Sequence, residues 1–271
     1  VTRLRHLSAA RPALVVLLAL PIAYGLTLDP IEASLRNSLQ PPGWAFPLGT
    51  DQLGRDILAR IAHGFLIDVG LSSAIVALSF VLGLATGLVA AELSGRVDQA
   101  LSLVMDVLTA LPQIVIALIF AVHLSGGALP LVLALGLTGW VKYARIARAA
   151  AFSLREREFV TAARAAGGGS SYVLIRHIVP QVLPLLAGLA ALQFGHSILN
   201  IAALGFLGIG IQPPTPEWGA MIAEARPYFA RAPWLAIVPG MFLFALTMLA
   251  LSFARSLAAH RAGPLPGRAP A

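Results

Sequence analysis

Apolar runs of about 20 residues recur along the chain, divided by shorter polar stretches. This rhythm predicts helices long enough to cross a hydrocarbon core of about 30 Å. The runs lie at 12–28, 70–91, 99–123, 128–147, 182–207 and 233–253. Strands of a membrane barrel would alternate apolar and polar positions, and these runs do not. The expected fold class is therefore an all-α integral membrane protein with six transmembrane helices.

The polar positions that interrupt this rhythm carry the remaining signal. Between the first two runs, Asp51 is placed to cap a helix of about a dozen residues on which Leu53, Ile57 and Ile61 recur every four, with Asp56 and Arg60 paired at i, i+4. Such a helix is too short to span and is expected to lie at the membrane surface. Gly83 and Gly87 have the spacing that lets two helices approach closely. Asp106 is the one carboxylate inside an expected span. It lies about 10 Å from the span's end, within reach of interfacial water or a loop arginine. Structural use, positioning of a gate and a proton relay are all compatible with it, although one isolated acid makes no relay. Trp140, Lys142, Tyr143, Arg145 and Arg148 are expected to mark the membrane interface at the end of the fourth run.

In the fifth run Gln193, His196 and Asn200 fall on one helix face. A polar stripe in a span faces protein or a water-filled path, so the three serve packing between helices or contact with a substrate. His196 has no second ligand beside it and makes no metal site. Residues 213–219, PPTPEWG, form a proline-stiffened lead-in with Trp218 at the interface. The tail beyond 255 is rich in Pro, Gly and Ala, and disorder is expected there.

Composition agrees with a membrane protein. The chain is 58% hydrophobic and 11% charged, too few charges to clothe a soluble domain of 271 residues. The absence of cysteine excludes disulfides, thiolate metal sites and thiol nucleophiles. A net charge of +7 raises nucleic acid as a partner, but orientation in the membrane explains it. With the N-terminus inside, fourteen basic residues lie on the cytoplasmic side and five outside. Arg3, Arg5 and Arg11 precede the first run as in a signal peptide or anchor, and an uncleaved span is expected because no convincing cleavage site follows.

The most informative stretch is 155–180, polar and basic between two apolar runs. Ser153 and Glu156 have capping-box spacing, so a helix is expected to start there. Phe159, Ala163 and Ala166 form a small apolar stripe, Gly167-Gly168-Gly169 break the helix, and Ser170 or Ser171 caps a second one ending in a turn at Pro180. On charge alone this is either a basic loop that fixes topology or a docking element for another protein.

The spacing Ala162-Ala163, three residues, Gly167, then Pro180 resembles the EAA loop of the membrane subunits of ATP-binding-cassette importers. The first motif position, ordinarily Glu, is Thr161 here. The string G-T-D-x-x-G-R-D at 49–56 resembles the signature of the peptide/nickel branch of these permeases, the second subunit of the pair. The resemblance implies a coupling element made of Glu158, Thr161, Ala162, Ala163, Ala166, Gly167 and Pro180, which docks on an ATPase. It implies that Pro214, Glu217 and Trp218 belong to the side on which a solute-binding protein bears.

It further implies a homologous second permease, two ATPase subunits, surrounding lipid and no nucleic acid as partners. The expected location is a bacterial or archaeal inner membrane, with both termini cytoplasmic. No cofactor is expected on this chain, ATP and Mg being used by the partner subunits. The single lysine, Lys142, is followed by Tyr143 and cannot serve a phosphate-binding loop, so no ATPase site of its own is expected. The alternatives are a secondary transporter or channel, which calls for more intramembrane charge or inverted repeats, and an intramembrane enzyme, for which no catalytic motif is present. The implied organisation is a cytoplasmic N-terminus 1–11, a first span 12–28, an extracytoplasmic segment 29–69 with the interfacial helix, a five-helix core 70–254 including the coupling loop 153–180, and a tail 255–271.

Overall fold

In the computed structural model, which describes residues 2–124 and 127–261, nearly all regular structure is helical. The exception among the described residues is an isolated bridge between Thr50 and Asp56. Helix α1 covers Thr2–Gly25 and carries the apolar segment Leu14–Gly25. Helix α2 covers Ile57–Leu93. The separate surface helix expected from Asp51 is not formed. Gly54 at φ +75° breaks any helix there, and the Asp51 carboxylate folds back to accept from the backbone N–H groups of Leu53 and Arg55. Asp56 caps α2 by accepting from Leu58 N at 2.7 Å, so Ile57 and Ile61 belong to the buried start of a long span. At 37 residues this helix is about 55 Å long and extends past a bilayer core.

The third run is broken. Helix α3, Gly95–Ala110, and α4, Gln113–His123, meet at 88°. Pro112 is the cause: it forces Leu111 into extended conformation and supplies no N–H to continue the ladder. Helix α5, Ala128–Arg155, runs two turns beyond its expected end. Trp140 and Tyr143 are buried in the helix packing, not placed at an interface. Gly83 and Gly87 explain this, because a Cβ on either would collide with α5 at Trp140, Tyr143, Ala144 and Ala147. The two backbones approach closely along that line.

Three short elements follow: α6, Glu158–Ala165, α7, Ser170–Val173, and a π-turn, Leu174–Ile178. The π-turn passes directly into α8, Val179–Phe206. Pro180 therefore ends nothing. It sits in the first turn of α8, next to the π-turn that opens the hydrogen-bond ladder there. Helix α9, Trp218–Ala225, precedes α10, Trp234–Arg261. Residues 255–261 of the expected tail thus continue a helix, and residues 262–271 lie outside the described residues.

By length and composition α2, α5, α7–α8 and α10 can each cross a membrane, and the bent pair α3–α4 adds a fifth span. Their outward faces carry exposed Val81, Leu103, Leu185, Met241 and Phe244, as lipid-facing surfaces require. The core is divided: one cluster joins α2, α5, α6 and α8 around Tyr143 and Val160, and another joins α2, α8, α9 and α10 around Trp218.

Candidate functional site

At one end of the molecule α5 stops at Arg155, whose guanidinium donates to the carbonyl of Ala91 at the end of α2. The capping box of Ser153 and Glu156 is not formed. Ser153 remains inside α5, held helical by buried Ala147 and Ala151, and α6 begins without a side-chain cap. Val160 is fully buried and anchors α6 against Ala151, Val173, Ile178 and Val182. Around that anchor Glu158, Thr161, Ala162 and Ala166 are exposed and Ala163 is half-buried. Of the expected stripe, Phe159 and Ala166 lie outward while Ala163 packs against the core, and the residue that fastens the helix is its neighbour Val160.

Helix α6 ends in a Schellman arrangement, with Gly168 N donating to Ala163 O at 3.0 Å and Gly167 N donating to Arg164 O at 2.9 Å. Gly167 at φ +87° takes the left-handed position, and a Cβ there would meet nothing within 4 Å. Glycine is required for its backbone, not for space. The His177 ring lies 5.7 Å from that of Tyr172 and 6.4 Å from that of Phe159, giving this end an aromatic cluster that period and charge did not signal.

Between α2, α4, α5 and α8 lies a polar cavity of about 300 Å³. Gln193, His196 and Asn200 all line it, and from the facing helices come Lys142, Gln113 and Tyr143. Lys142 Nζ donates to Gln193 Oε1 at 3.3 Å, and His196 Nδ1 donates to the same oxygen at 3.2 Å. Lys142 was read as an interface anchor, yet it stands near the middle of α5 and faces this cavity. Asp106 does not line it. Its carboxylate pairs with Arg145 on α5 at 2.8 Å, in an exposed position, so its basic partner belongs to a span and not to a loop.

The opposite end is built from buried charge. The Asp51 carboxylate accepts from both Arg55 Nε, at 2.6 Å, and Arg60. Glu224 on α9 accepts from Arg60 at 2.8 Å and from Arg55 at 3.4 Å. Arg60 does not pair with Asp56 as the i, i+4 spacing suggested, because Asp56 is engaged in capping α2. Glu217 and Trp218, expected at a docking face, are 1% and 0% exposed. Trp218 packs between Phe65 and Phe242 and donates Nε1–H to Ile61 O at 3.1 Å. Glu217 caps α9 by accepting from Gly219 N and Ala220 N, each at 2.7 Å. Burial pushes its carboxyl up to about 7, against the lowering effect of those two donors. Asp56 is also raised by burial. Pro214 remains exposed. Among the described residues no cluster of three His, Asp or Glu side chains is arranged to hold a metal ion.

Residues 56–262, which hold the cavity, α6 and α9, match the family described as "Binding-protein-dependent transport system inner membrane component". The chain belongs to this family. It is 38% identical over 247 residues to the di/tripeptide transport system permease protein DppC of Pseudomonas aeruginosa, covering 88% of this chain and 80% of that one. It is 38% identical over 236 residues to the nickel transport system permease protein NikC of Escherichia coli, covering 87% and 85%. The fold is similar to a chain of the MetNI methionine ABC transporter in inward-facing conformation, with TM-score 0.61, 17% identity and coverage of 74% of this chain and 96% of that one. As a member, the chain is a permease subunit of an ATP-binding-cassette importer of the peptide/nickel branch, a membrane component that works with ATPase and binding-protein partners.

Proposed function

We propose that this permease forms one half of a translocation path for peptides or for nickel and metal-chelate complexes, the cargo named for DppC and NikC. A homologous second permease supplies the other half. Two ATPase subunits, using ATP and Mg, drive the cycle, and this chain carries no ATPase site. The segment 158–167 is the coupling element, with both termini and α6 on the cytoplasmic side and α1 completing six spans. The end that carries α9 faces the binding protein, through exposed Pro214 and not through buried Glu217 or Trp218.

The observation that carries this reading is the build of α6. It has an exposed outer face of Glu158, Thr161, Ala162 and Ala166, a single buried anchor at Val160, a two-residue link to α5 on one side and a connection through α7 and the π-turn to α8 on the other. Force applied to such an element reaches two spans at once. Ala162→Asp, on the exposed face, is expected to leave the complex folded while uncoupling ATP hydrolysis from uptake in proteoliposomes. Normal coupled uptake by this variant would reject the assignment of α6.

A further inference from the structure

Where α9 begins, two carboxyl groups meet inside the protein. Asp68 of α2 is 2% exposed, Glu217 is as deeply buried, and the two are close enough for each charge to act on the other. Between them they take three backbone donors of the first turn of α9. Glu217 accepts from Gly219 N and Ala220 N, each at 2.7 Å, and Asp68 Oδ2 accepts the longer bond from Trp218 N at 3.3 Å. Asp68 Oδ1 has no partner among the described residues. Neither has the hydroxyl of Ser72, fully buried one turn further along the same face of α2.

Among the described residues no positive charge balances this pair. On α2, Arg60 is spent on Asp51 and Glu224, and His63 Nδ1 is turned to Ala59 O. Beyond α9, Arg226 donates to Phe206 O. The helices packed around the pair bring no Asp, Glu, Lys or Arg over Leu14–Gly25 of α1, over Val179–Phe206 of α8 or over 234–254 of α10, and α5 has none before Lys142. His196 of α8 faces the polar cavity instead. Room for a metal ion is lacking as well. A Cβ at Gly205 would collide with Glu217 Oε2 and one at Gly219 with the backbone of Ala202, so α8 closes directly on the start of α9.

Two like charges buried together without a counter-ion are far costlier than one, and a proton is the cation small enough to relieve them here. The donors decide which acid takes it. Glu217, with two short bonds, suits the anion, whereas Asp68, with one long bond and a bare oxygen, suits the neutral acid. An O–H on Asp68 Oδ1 can also donate to Ser72 Oγ, and two orphaned atoms become one hydrogen bond.

We propose that Asp68 and Glu217 form a binding site for one proton, carried on Asp68 and donated to Ser72, and that this proton fastens α9 to α2. Its loss sets two negative charges across the joint and parts the helices.

The test uses the full chain in its complex, reconstituted in lipid nanodiscs. At about pH 8, above the titration of Glu217, the infrared spectrum of wild type is expected to hold the carbonyl band of a buried carboxylic acid that Asp68→Asn lacks. The chain has no cysteine, so spin labels on Leu66→Cys, at the outer face of α2, and on Thr215→Cys, exposed just before α9, report the separation of the two elements once the partner subunits are freed of cysteine. In wild type the separation widens as rising pH removes the band. In Asp68→Asn it keeps its neutral-pH value throughout. Ser72→Ala, which removes only the acceptor, lowers the midpoint of both changes by about one pH unit, as loss of one hydrogen bond to the protonated form predicts.

Absence of the band from wild type, or widening in Asp68→Asn at the wild-type midpoint, overturns the site. Loss of the band without widening overturns the fastening of α9, and a wild-type midpoint in Ser72→Ala overturns the place given to the proton. Asparagine reproduces the shape and hydrogen bonding of the neutral acid, so failure of Asp68→Asn to assemble would show that α9 needs the charge and overturns the site as well.

Discussion

The two ends of this permease are fastened in opposite ways. At the α9 end two arginines and Asp51 are buried together beside a half-buried Glu224, a tryptophan is enclosed by two phenylalanines, and a carboxyl is held high by burial. At the α6 end the helix itself buries one residue, Val160, closes on a glycine with free space around it, and leaves its outer face bare. Buried ion pairs recover little net energy but are expensive to break singly. A short helix held by one apolar anchor can be moved at small cost. The difference separates a fixed end from a movable one, as the coupling proposed for α6 requires.

Substitutions can break this contrast, and the largest effect belongs to the fixed end. Asp51→Ala leaves Arg55 and Arg60 buried with only Glu224 to share, and is expected to cost roughly 3–5 kcal/mol, read as a large drop in the unfolding midpoint of the purified protein in detergent. A midpoint shift no larger than that of a surface substitution would show that the cluster does not hold this end together.

The second effect is pH dependence. The Glu217 carboxyl keeps its proton to about pH 7 in the folded chain, against an ordinary value of 4.5. The folded state therefore binds more protons than the unfolded state between those limits. Stability from this group is full below pH 4.5 and falls as pH rises to 7, by an amount on the order of 3 kcal/mol. Glu217→Gln should lessen the fall in unfolding midpoint over that interval, at the loss of one capping bond worth about 1 kcal/mol.

The movable end should respond less. Gly167→Ala strains the left-handed turn but meets no neighbour, so a cost of about 1–2 kcal/mol is expected. The smallest stability effect, within about 0.5 kcal/mol, is expected of Ala162→Asp, the substitution with the largest expected effect on coupling. A large midpoint shift from Ala162→Asp would erase the distinction between the ends.

Much of this was legible in the pattern of residues, and the failures share a cause. Spans were visible because their apolar runs are local and long. The polar face of Gln193, His196 and Asn200 was visible because helical period alone places it, and the structure brings all three to one cavity. What period cannot show is which helix stands opposite. Lys142 and Tyr143 looked like interface anchors until α5 proved to continue to Arg155. Arg60 seemed to belong with Asp56, four residues away, yet its partners are Asp51 and Glu224, the second reached only through tertiary folding. Ser153 and Glu156 carried the right spacing for a cap, and packing around Ala147 and Ala151 overrode it. Pro112 is the clearest local mark of the break, since a proline within an apolar run marks a place where a span can turn.

The π-turn at Leu174–Ile178 bears on the coupling proposed for α6. Its five-residue hydrogen bonding lodges one residue more than an α-turn would, so the proposed route from α6 to α8 passes through α7 and a wider turn, whereas the route to α5 is a two-residue link. If α6 couples as proposed, a pull on it reaches α5 and α8 by unequal routes, and the 3.3 Å contact between Lys142 on α5 and Gln193 on α8 is the distance at which the two helices' relative motion would be read.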